Sequence, residues 1–465
     1  MDSRVKKEAR SLISAGHDVR VYALASSQYP PGPTEIDGIS VVHVKPDDTS
    51  LRGARGLYTA YLLMTPLLVA AAAGEILAKI FRTGLSAARK VPRVTAKGLQ
   101  GLSIRLKRSI KRMNVNLKRS IKRMNAKATA RRTLKKYLNY AKTPLTRYAF
   151  AVEASQLCRE WNPDVAHVHD LDTAIGGLRL ADNEKCALVF DSHELWLQRN
   201  EPNRNSVLRR LLRRWEASLQ RRTISRAQVV ITVSPGISRI LEESVKGAQA
   251  SHIVVRNVPS RNEDATKAAK QLQSRASEDV IAYSGRVTSG RNLELLLEAC
   301  ERLRRRYRLC LLGYGLKSYM DGIAKLADER GVPLEFVEAV PSAAVVPSLR
   351  LANTVFVGVE PFVESYRLAL PNKFFEGVLS GRAVVAPLLE EMFEFGRDLP
   401  GIFWYDLNPE SLTAALMTAL DSSENWQDWL EARRTQIAWE FEAERLIGAY
   451  SELEASRKPG VNILE

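Results

Sequence analysis

From Leu370 to Gly381 the chain reads Leu-Pro-Asn-Lys-Phe-Phe-Glu-Gly-Val-Leu-Ser-Gly, a loop turning into a helix with Pro371 near its first position. Proline suits that place because the first helical N–H has no intrahelical acceptor and the ring sets a helical φ. The unpaired amides and the positive end of the helix dipole make such a start a place for phosphate-sized anions. Glu376 follows about one and a half turns later, where a carboxylate can grip a pair of sugar hydroxyls. An ordinary surface helix is the competing reading of this stretch. A second constellation is His167-Val-His-Asp-Leu-Asp-Thr173, in which His169 is followed closely by Asp170 and Asp172, and a third is Asp191-Ser-His-Glu194. Histidine among carboxylates can carry protons near neutral pH, although a histidine at a strand end is often a satisfied polar residue.

The elements that must position these groups alternate as strand and helix. Strand-like runs at 164–168, 187–190, 228–233 and 252–255 each end in a polar tip, and helices are expected between them. Parallel strands with polar carboxyl ends converge on one crevice, which is where open α/β sheets bind ligands. A second series begins at Val280, with tips Gly285-Arg-Val-Thr-Ser-Gly-Arg291 and Gly313-Tyr-Gly315. The polar stretch 260–278 reads as the linker between the two series. At the start, one helical face is made by Val5, Ala9, Leu12 and Ile13, and strands are expected at 19–24 and 39–44 around a Pro-rich turn at 29–33. An opening helix with no strand before it is unusual in an α/β domain. We therefore expect the first sheet to show an exposed edge or an unfilled slot.

Composition separates one segment from the rest. The chain has 465 residues and a formal charge of +17, yet residues 81–145 hold 20 Lys or Arg and no acidic residue. Within that segment Leu106 to Asn114 returns unchanged as Leu117 to Asn125. Leu106, Ile110, Met113, Leu117, Ile121 and Met124 make an apolar stripe on one helix face, and Lys and Arg cover the other faces. Such a helix fits an anionic membrane surface through about 101–130, held largely by charge and weakened by salt. A solvated arm packed on the protein is the alternative. Nucleic acid is disfavoured because no aromatic residue is interleaved with the cations. The apolar run 57–73 is short for a membrane span and carries Pro66, which favours a buried or interfacial helix. Four scattered cysteines without a Cys-x-x-Cys pair, and no secretory signal, indicate a cytoplasmic setting.

Taken together, the pattern resembles the retaining glycosyltransferases of family 4. The marks are Asp2-Ser-Arg-Val-Lys-Lys-Glu-Ala, His167-Val-His-Asp-Leu-Asp-Thr173, Phe190-Asp-Ser-His-Glu194, Val233-Ser-Pro-Gly236, Asn257-Val-Pro259, Gly285-Arg286 with Arg291, Leu312-Gly-Tyr-Gly315 and Leu370-Pro-Asn-Lys-Phe-Phe-Glu376. The resemblance implies an α/β protein of the GT-B fold, two facing Rossmann-like domains, with a basic helical insertion in the first. The implied division is an acceptor-side domain over 1–259 with its insertion at about 50–145, a nucleotide-sugar domain over 260–424, and helices over 425–465 crossing back to the first domain. It implies transfer of a sugar from a nucleotide-diphosphate-sugar to an acceptor, a glycan or a lipid-linked molecule, with retention of configuration. No cofactor and no metal are required, and the place of action is the cytoplasmic face of the membrane.

Residue by residue, the resemblance makes Arg286 and Arg291 the phosphate-contacting cations and Glu376 the ribose ligand. Gly313, Gly315 and Leu370 join them in holding the donor, and Asn372 and Lys373 either share its contacts or only cap and solvate the helix. His169 becomes the active-site histidine, with Asp170 and Asp172 orienting it or the acceptor hydroxyl, and His193 and Glu194 become acceptor-side candidates. Two departures bear on activity. Leu368 stands where the family usually has the first of two glutamates, and the strand and glycine loop that precede the opening helix in the family are not represented. The alternatives are a catalytically inactive membrane-bound scaffold of the same fold and, further off, a sugar-nucleotide epimerase.

Overall fold

The computed structural model describes residues 2–46, 147–183, 186–199, 207–261, 264–273, 278–422, 426, 428–430, 432 and 437–457. The apolar run 57–73 and the basic repeats of 101–130 lie outside the described residues. The chain divides into two compact units, one of Met1–Val44, Cys158–Pro202 and Glu216–Glu465, the other of Lys45–Leu157 and Asn203–Trp215. In the second unit residues 147–157 are helical, with Ala149, Ala151, Val152 and Ala154 buried.

The first unit holds three sheets. Strands β1 (Arg20–Leu24), β2 (Gly32–Ile36) and β3 (Ile39–Val44) form one in the order β1-β3-β2. Strands β4 (Val165–His169), β5 (Ala187–Ser192), β6 (Val229–Thr232) and β7 (Ser251–Val254) form a parallel sheet in chain order. Strands β8 (Asp279–Ser284), β9 (Tyr307–Leu312), β10 (Leu334–Val337), β11 (Thr354–Phe356), β12 (Ala383–Pro387) and β13 (Ile402–Tyr405) form a parallel sheet in the order β10-β9-β8-β11-β12-β13. That order is the doubly wound one, with its switch point between β8 and β11, so a crevice opens beyond their carboxyl ends. β5, β9 and β12 are buried along their whole length, as strands covered by helices on both faces must be, which explains continuous runs such as Leu309-Cys-Leu-Leu312.

β2 corrects the expectation of a plain Pro-rich turn before Ile39. It pairs antiparallel with β3 through Asp37-Gly38, whose φ values of 53° and 79° belong to a tight two-residue hairpin. β1 and β4 each end a sheet, leaving one edge without a strand partner among the described residues. Within the stretch expected as a linker, the described residues 264–273 pack on the domain that follows. Ala269 and Leu272 are buried against Val280, Cys310 and Leu349, and the Ala269 amide donates to Ser348 Oγ at 2.8 Å. The helix Trp439–Arg457 packs Trp439, Leu446, Tyr450 and Leu453 onto Val189, Val229 and Ile231 of the β4–β7 sheet and onto Leu12 of the opening helix, Ser3–Ser14. No helix of the described residues is long and apolar enough to cross a membrane.

Candidate functional site

Two groups of polar side chains stand at the carboxyl ends of the two large sheets. In the β8–β13 sheet, helix Asn372–Leu379 begins directly after Pro371, which is the residue before the first helical position and not the first one itself. The helix is amphipathic in an unusual sense. Phe374, Phe375, Val378 and Leu379 go into the core, and Lys373 is buried with them, so this is no surface helix. Glu376 accepts a hydrogen bond from Ser284 Oγ at 2.9 Å, which pins its carboxylate at the end of β8. Burial raises the Glu376 pKa, against the opposing pull of Ser284, Lys373 and Lys7. Lys373 Nζ lies 3.0 Å from Tyr283 Oη, and the tyrosine hydroxyl donates to the Arg286 carbonyl at 2.8 Å. Burial, and then the charge of Arg291, holds the Lys373 ammonium well below its ordinary range.

The floor beside these groups is bare backbone. A Cβ on Gly313 would lie 1.9 Å from the Gly285 carbonyl oxygen, and one on Gly315 would lie 2.2 Å from that of Val287. The loops after β8 and β9 therefore run in contact, joined by the amide of Val287 donating to the Tyr314 carbonyl at 2.8 Å. Of the two expected phosphate cations, Arg286 is exposed, while Arg291 is half-buried with its guanidinium 5.9 Å from the Tyr366 ring. Asn372 is half-buried at the helix start. Leu370 enters the core beside Phe374, so only its backbone is free to meet a donor.

Leu368 has a specific role of another kind. Its side chain joins Ile237, Leu241 and Phe190 in the core of the β4–β7 sheet, and its carbonyl accepts from Ser234 Oγ at 2.9 Å. A Cβ on Gly236 would touch Leu368 at 2.9 Å, so the Ser234-Pro-Gly236 tip is shaped to receive it.

The second group gathers on β4, β5 and the opening helix. Asp191, fully buried, accepts from Arg4 Nε at 2.8 Å and Arg4 Nη2 at 3.1 Å, while Arg4 Nη1 donates to the Val255 carbonyl at 2.8 Å. Burial works against the Asp191 carboxylate, but Arg4 and then His193 hold its pKa well below the ordinary range. His193 Nε2 donates to Asp191 at 3.0 Å, and its Nδ1 lies 3.4 Å from Asp170. Burial opposes the imidazolium, yet Asp191 and then Asp170 push the His193 pKa up to about 9. Asp170 also accepts from the His193 amide at 3.0 Å. The expectation is that Asp170 orients His169 or the acceptor hydroxyl, and the side-chain partner it has here is His193. Asp170 has φ 55° and starts helix Asp170–Asn183, which turns its carboxylate toward β5. Asp172 lies in the first turn of the same helix. His169 instead faces Asp191 at 3.3 Å and His193 at 3.2 Å through Nδ1, and Glu8 at 3.6 Å through Nε2. Glu194 is half-buried, 3.6 Å from Arg199; burial and then Asp170 raise its pKa.

Arg4, Glu8, His167, Asp191 and Tyr450 were not assigned roles from sequence. Arg4 and Glu8 carried a signal, since residues four apart share a helix face. His167 and Asp191 stood in the polar tips that end β4 and β5, whereas Tyr450 carried no signal, because the helix Trp439–Arg457 meets those strands only in the fold. Ligand atoms, one each from Glu8, His167, His169 and Asp191, lie within 4.8 Å of one another, a donor set that could hold a metal ion. Arg4 already brings a cation to both carboxylates, at 2.8 Å and 2.9 Å, where a metal would have to compete with it.

The family model "Glycosyltransferase Family 4" matches residues 119–256. No curated protein sequence matches the chain. Among solved structures, sucrose-phosphate synthase from Thermosynechococcus elongatus is similar at TM-score 0.63 and 14% identity, covering 97% of this chain and 93% of that one. The UDP-forming trehalose-phosphate synthase of Burkholderia vietnamiensis is similar at TM-score 0.56 and 11% identity, over 96% of this chain and 97% of that one. HepE of Anabaena, in complex with UDP and glucose, is similar at TM-score 0.52 and 16% identity, over 65% of this chain and 81% of that one. The fold is the GT-B fold of two Rossmann-like domains, and the family model's match is confined to residues 119–256.

Proposed function

We propose that this protein is a glycosyltransferase that moves a sugar from a nucleotide-diphosphate-sugar to an acceptor with retention of configuration. The observation that carries the reading is the Glu376–Ser284 pair at the switch point of the β8–β13 sheet, beside the backbone floor of Gly285, Gly313 and Gly315. A ribose diol fits a pinned carboxylate, and a diphosphate fits amides and cations that need no reorganisation as charge builds on the leaving group. Arg286, Arg291 and the amides at the start of helix Asn372–Leu379 would take that charge, with Lys373 and Asn372 adjoining, and no metal is needed. The bound UDP of the HepE structure fits a uridine nucleotide as one candidate donor.

On the β4–β7 side His169 would face the donor sugar. His193 is held by Asp191 and Asp170, and with Glu194 and Asp172 it would line the acceptor side. In this reading the acceptor hydroxyl attacks from the face that the diphosphate leaves, so no protein nucleophile is assigned. The acceptor is a glycan or lipid-linked molecule, reached at an anionic membrane surface through the basic repeats of 101–130.

The test is a panel of nucleotide sugars assayed for binding and for release of the nucleotide, in wild type and Glu376→Gln. Replacing a charged hydrogen-bonding partner costs about 1.5–3 kcal/mol, so donor affinity should fall by roughly 10–150-fold while the melting temperature holds. Equal affinity in the variant would remove Glu376 from the donor site. Sedimentation with anionic vesicles, reversed by salt and lost on deleting 101–130, is expected of the membrane contact; a deletion variant that still sediments would exclude it. The inactive-scaffold reading draws on Leu368, which is committed to the core where a carboxylate would meet the donor sugar. Release of nucleotide from any donor would dismiss it.

A further inference from the structure

The segment that precedes the Glu376 helix leaves its own sheet and enters the other one. The short helix Glu364–Arg367 and Leu368 lie between β11 and β12 in the chain, yet they find their partners on the tips that end β5 and β6. The Leu195 amide donates to Ser365 Oγ at 3.2 Å, and Ser234 Oγ donates to the Leu368 carbonyl at 2.9 Å. The Leu368 side chain, 3% exposed, lies in the core of the β4–β7 sheet with Phe190, Ile237 and Leu241. A further contact comes from helix Glu390–Gly396, where buried Glu391 takes the hydrogen bond of the Gly236 amide. Arg367 ties the two pieces together, 3.0 Å from Glu364 and 3.5 Å from Glu390. Ser234, Ser365 and Glu391 are all buried, and a buried polar group that loses its partner costs more than the bond gave. The contacts therefore hold or open as a set. Gly236 shows how close the fit is. A Cβ there would lie 2.3 Å from Glu391 Oε1 and 2.9 Å from the Leu368 side chain, although the backbone of helix Pro235–Glu243 would itself accept alanine.

We propose that Leu368 is a positioning residue: it pins the helix that carries Glu376 to the β4–β7 sheet, so that the donor-side group and the His169–His193 group keep one spacing before any ligand arrives. Only Ala369, Leu370 and Pro371 separate it from helix Asn372–Leu379, so a shift of Leu368 carries directly to Lys373 and Glu376. Domains of one chain move against each other by default where their contact is small and polar. Here a buried leucine and three buried hydrogen bonds oppose that motion. Holding a donor and transferring its sugar then become separable. Glu376, Ser284, Arg291 and the bare loops after β8 and β9 all belong to the β8–β13 side, and they would hold a nucleotide with the strap open. Transfer needs both sides at once, and a misplacement of about 1 Å between reacting groups costs about 100-fold in rate. The part played in transfer rests on the transferase reading above; the fixed spacing does not.

The experiment measures amide hydrogen exchange in the full-length protein without ligand, in wild type, Leu368→Ala and Gly236→Ala. The amides of Leu195 and of position 236 report on the strap, because their acceptors are side chains from the β8–β13 half. We expect both to be protected in wild type and to exchange at least about tenfold faster in the two variants, while Val230 in β6 and Leu311 in β9 keep their rates. Free exchange at both amides in wild type, or protection unaltered in both variants, would overturn the proposal. If Leu368→Ala fails to fold, Gly236→Ala decides, since alanine suits its helix and only the strap objects to it. With an active donor in hand, Gly236→Ala should lower kcat at least about tenfold and leave donor Kd within about threefold, and Leu368→Met should keep most of the wild-type kcat. Donor affinity falling in step with kcat would mean general loosening and would refute the positioning role. Since the exchange rates need no turnover, absence of transfer with every donor would sink the transferase reading and leave the fixed spacing to be judged by exchange.

Discussion

Asp191 is the residue on which the acceptor-side group depends. It is wholly buried, it compensates Arg4, and it holds the imidazolium of His193. Removing one partner of a buried ion pair is far more costly than never having had the pair, because the other charge stays in a medium that cannot solvate it. Asp191→Asn should therefore destabilise the protein by about 3–5 kcal/mol in denaturant unfolding, and lower the pKa of His193 in the same variant. A loss under about 1 kcal/mol would mean that water reaches Arg4. Glu376 differs in kind, since it is held by one hydroxyl and has little to lose in stability, which is why the Glu376→Gln test reads binding and not folding.

Among the elements, the paired loops after β8 and β9 are the least tolerant of change. The Gly285 and Gly313 backbones lie so close that no side chain fits between them. Gly313→Ala would force the loops apart, because its Cβ would meet a carbonyl oxygen fixed by the β8–β9 ladder. The expected outcome is a lower melting temperature together with loss of donor binding. Gly448→Ala, on the C-terminal helix with nothing near its Cβ, is the control and should be neutral or slightly stabilising. The opening helix works across a longer range. Lys7 donates to Asn257 Oδ1 and the Val258 carbonyl, both at 2.6 Å, and stands over the Trp439 ring, so one turn of helix ties the segment after β7 to the C-terminal helix.

At the scale of the whole molecule the buried groups make stability depend on pH in a defined direction. His193 has its folded pKa raised from 6.5 to about 9, so the folded state binds a proton that the unfolded chain releases. Its contribution is complete below about pH 6.5 and is lost as pH rises through about 9. Asp191, depressed well below 3.8, contributes above its unfolded pKa and loses that contribution as pH falls into the acid range. Glu8 is raised from 4.5 to about 7, and so its ionisation erodes stability between those values. Unfolding free energy should thus decline from mildly acidic toward alkaline pH, and the alkaline part of that decline should vanish in His193→Gln. Chemical denaturation at a series of pH values checks both statements.

How much of this was legible beforehand varies with the range of the interaction. Alternating strands, tips and helices were readable because hydrophobic periodicity is local, and the two-series α/β architecture follows from it. The tips bearing His169, His193, Gly285 and Gly313 were likewise visible as polar or glycine breaks after apolar runs. Asp37-Gly38 signalled the β2–β3 hairpin, and a Pro-rich stretch beside it obscured the signal. What the chain alone determined, then, is where chemistry-bearing residues end each strand, since that depends on neighbours in sequence. Partnership was decided only by tertiary structure. Asp170 pairs with His193 and not His169, Leu368 serves a core and not a ligand, and Glu8 shares Arg4 with Asp191 beside the imidazoles of β4. Those outcomes depend on burial and on the charge count of groups as much as 187 positions apart, which no local pattern encodes.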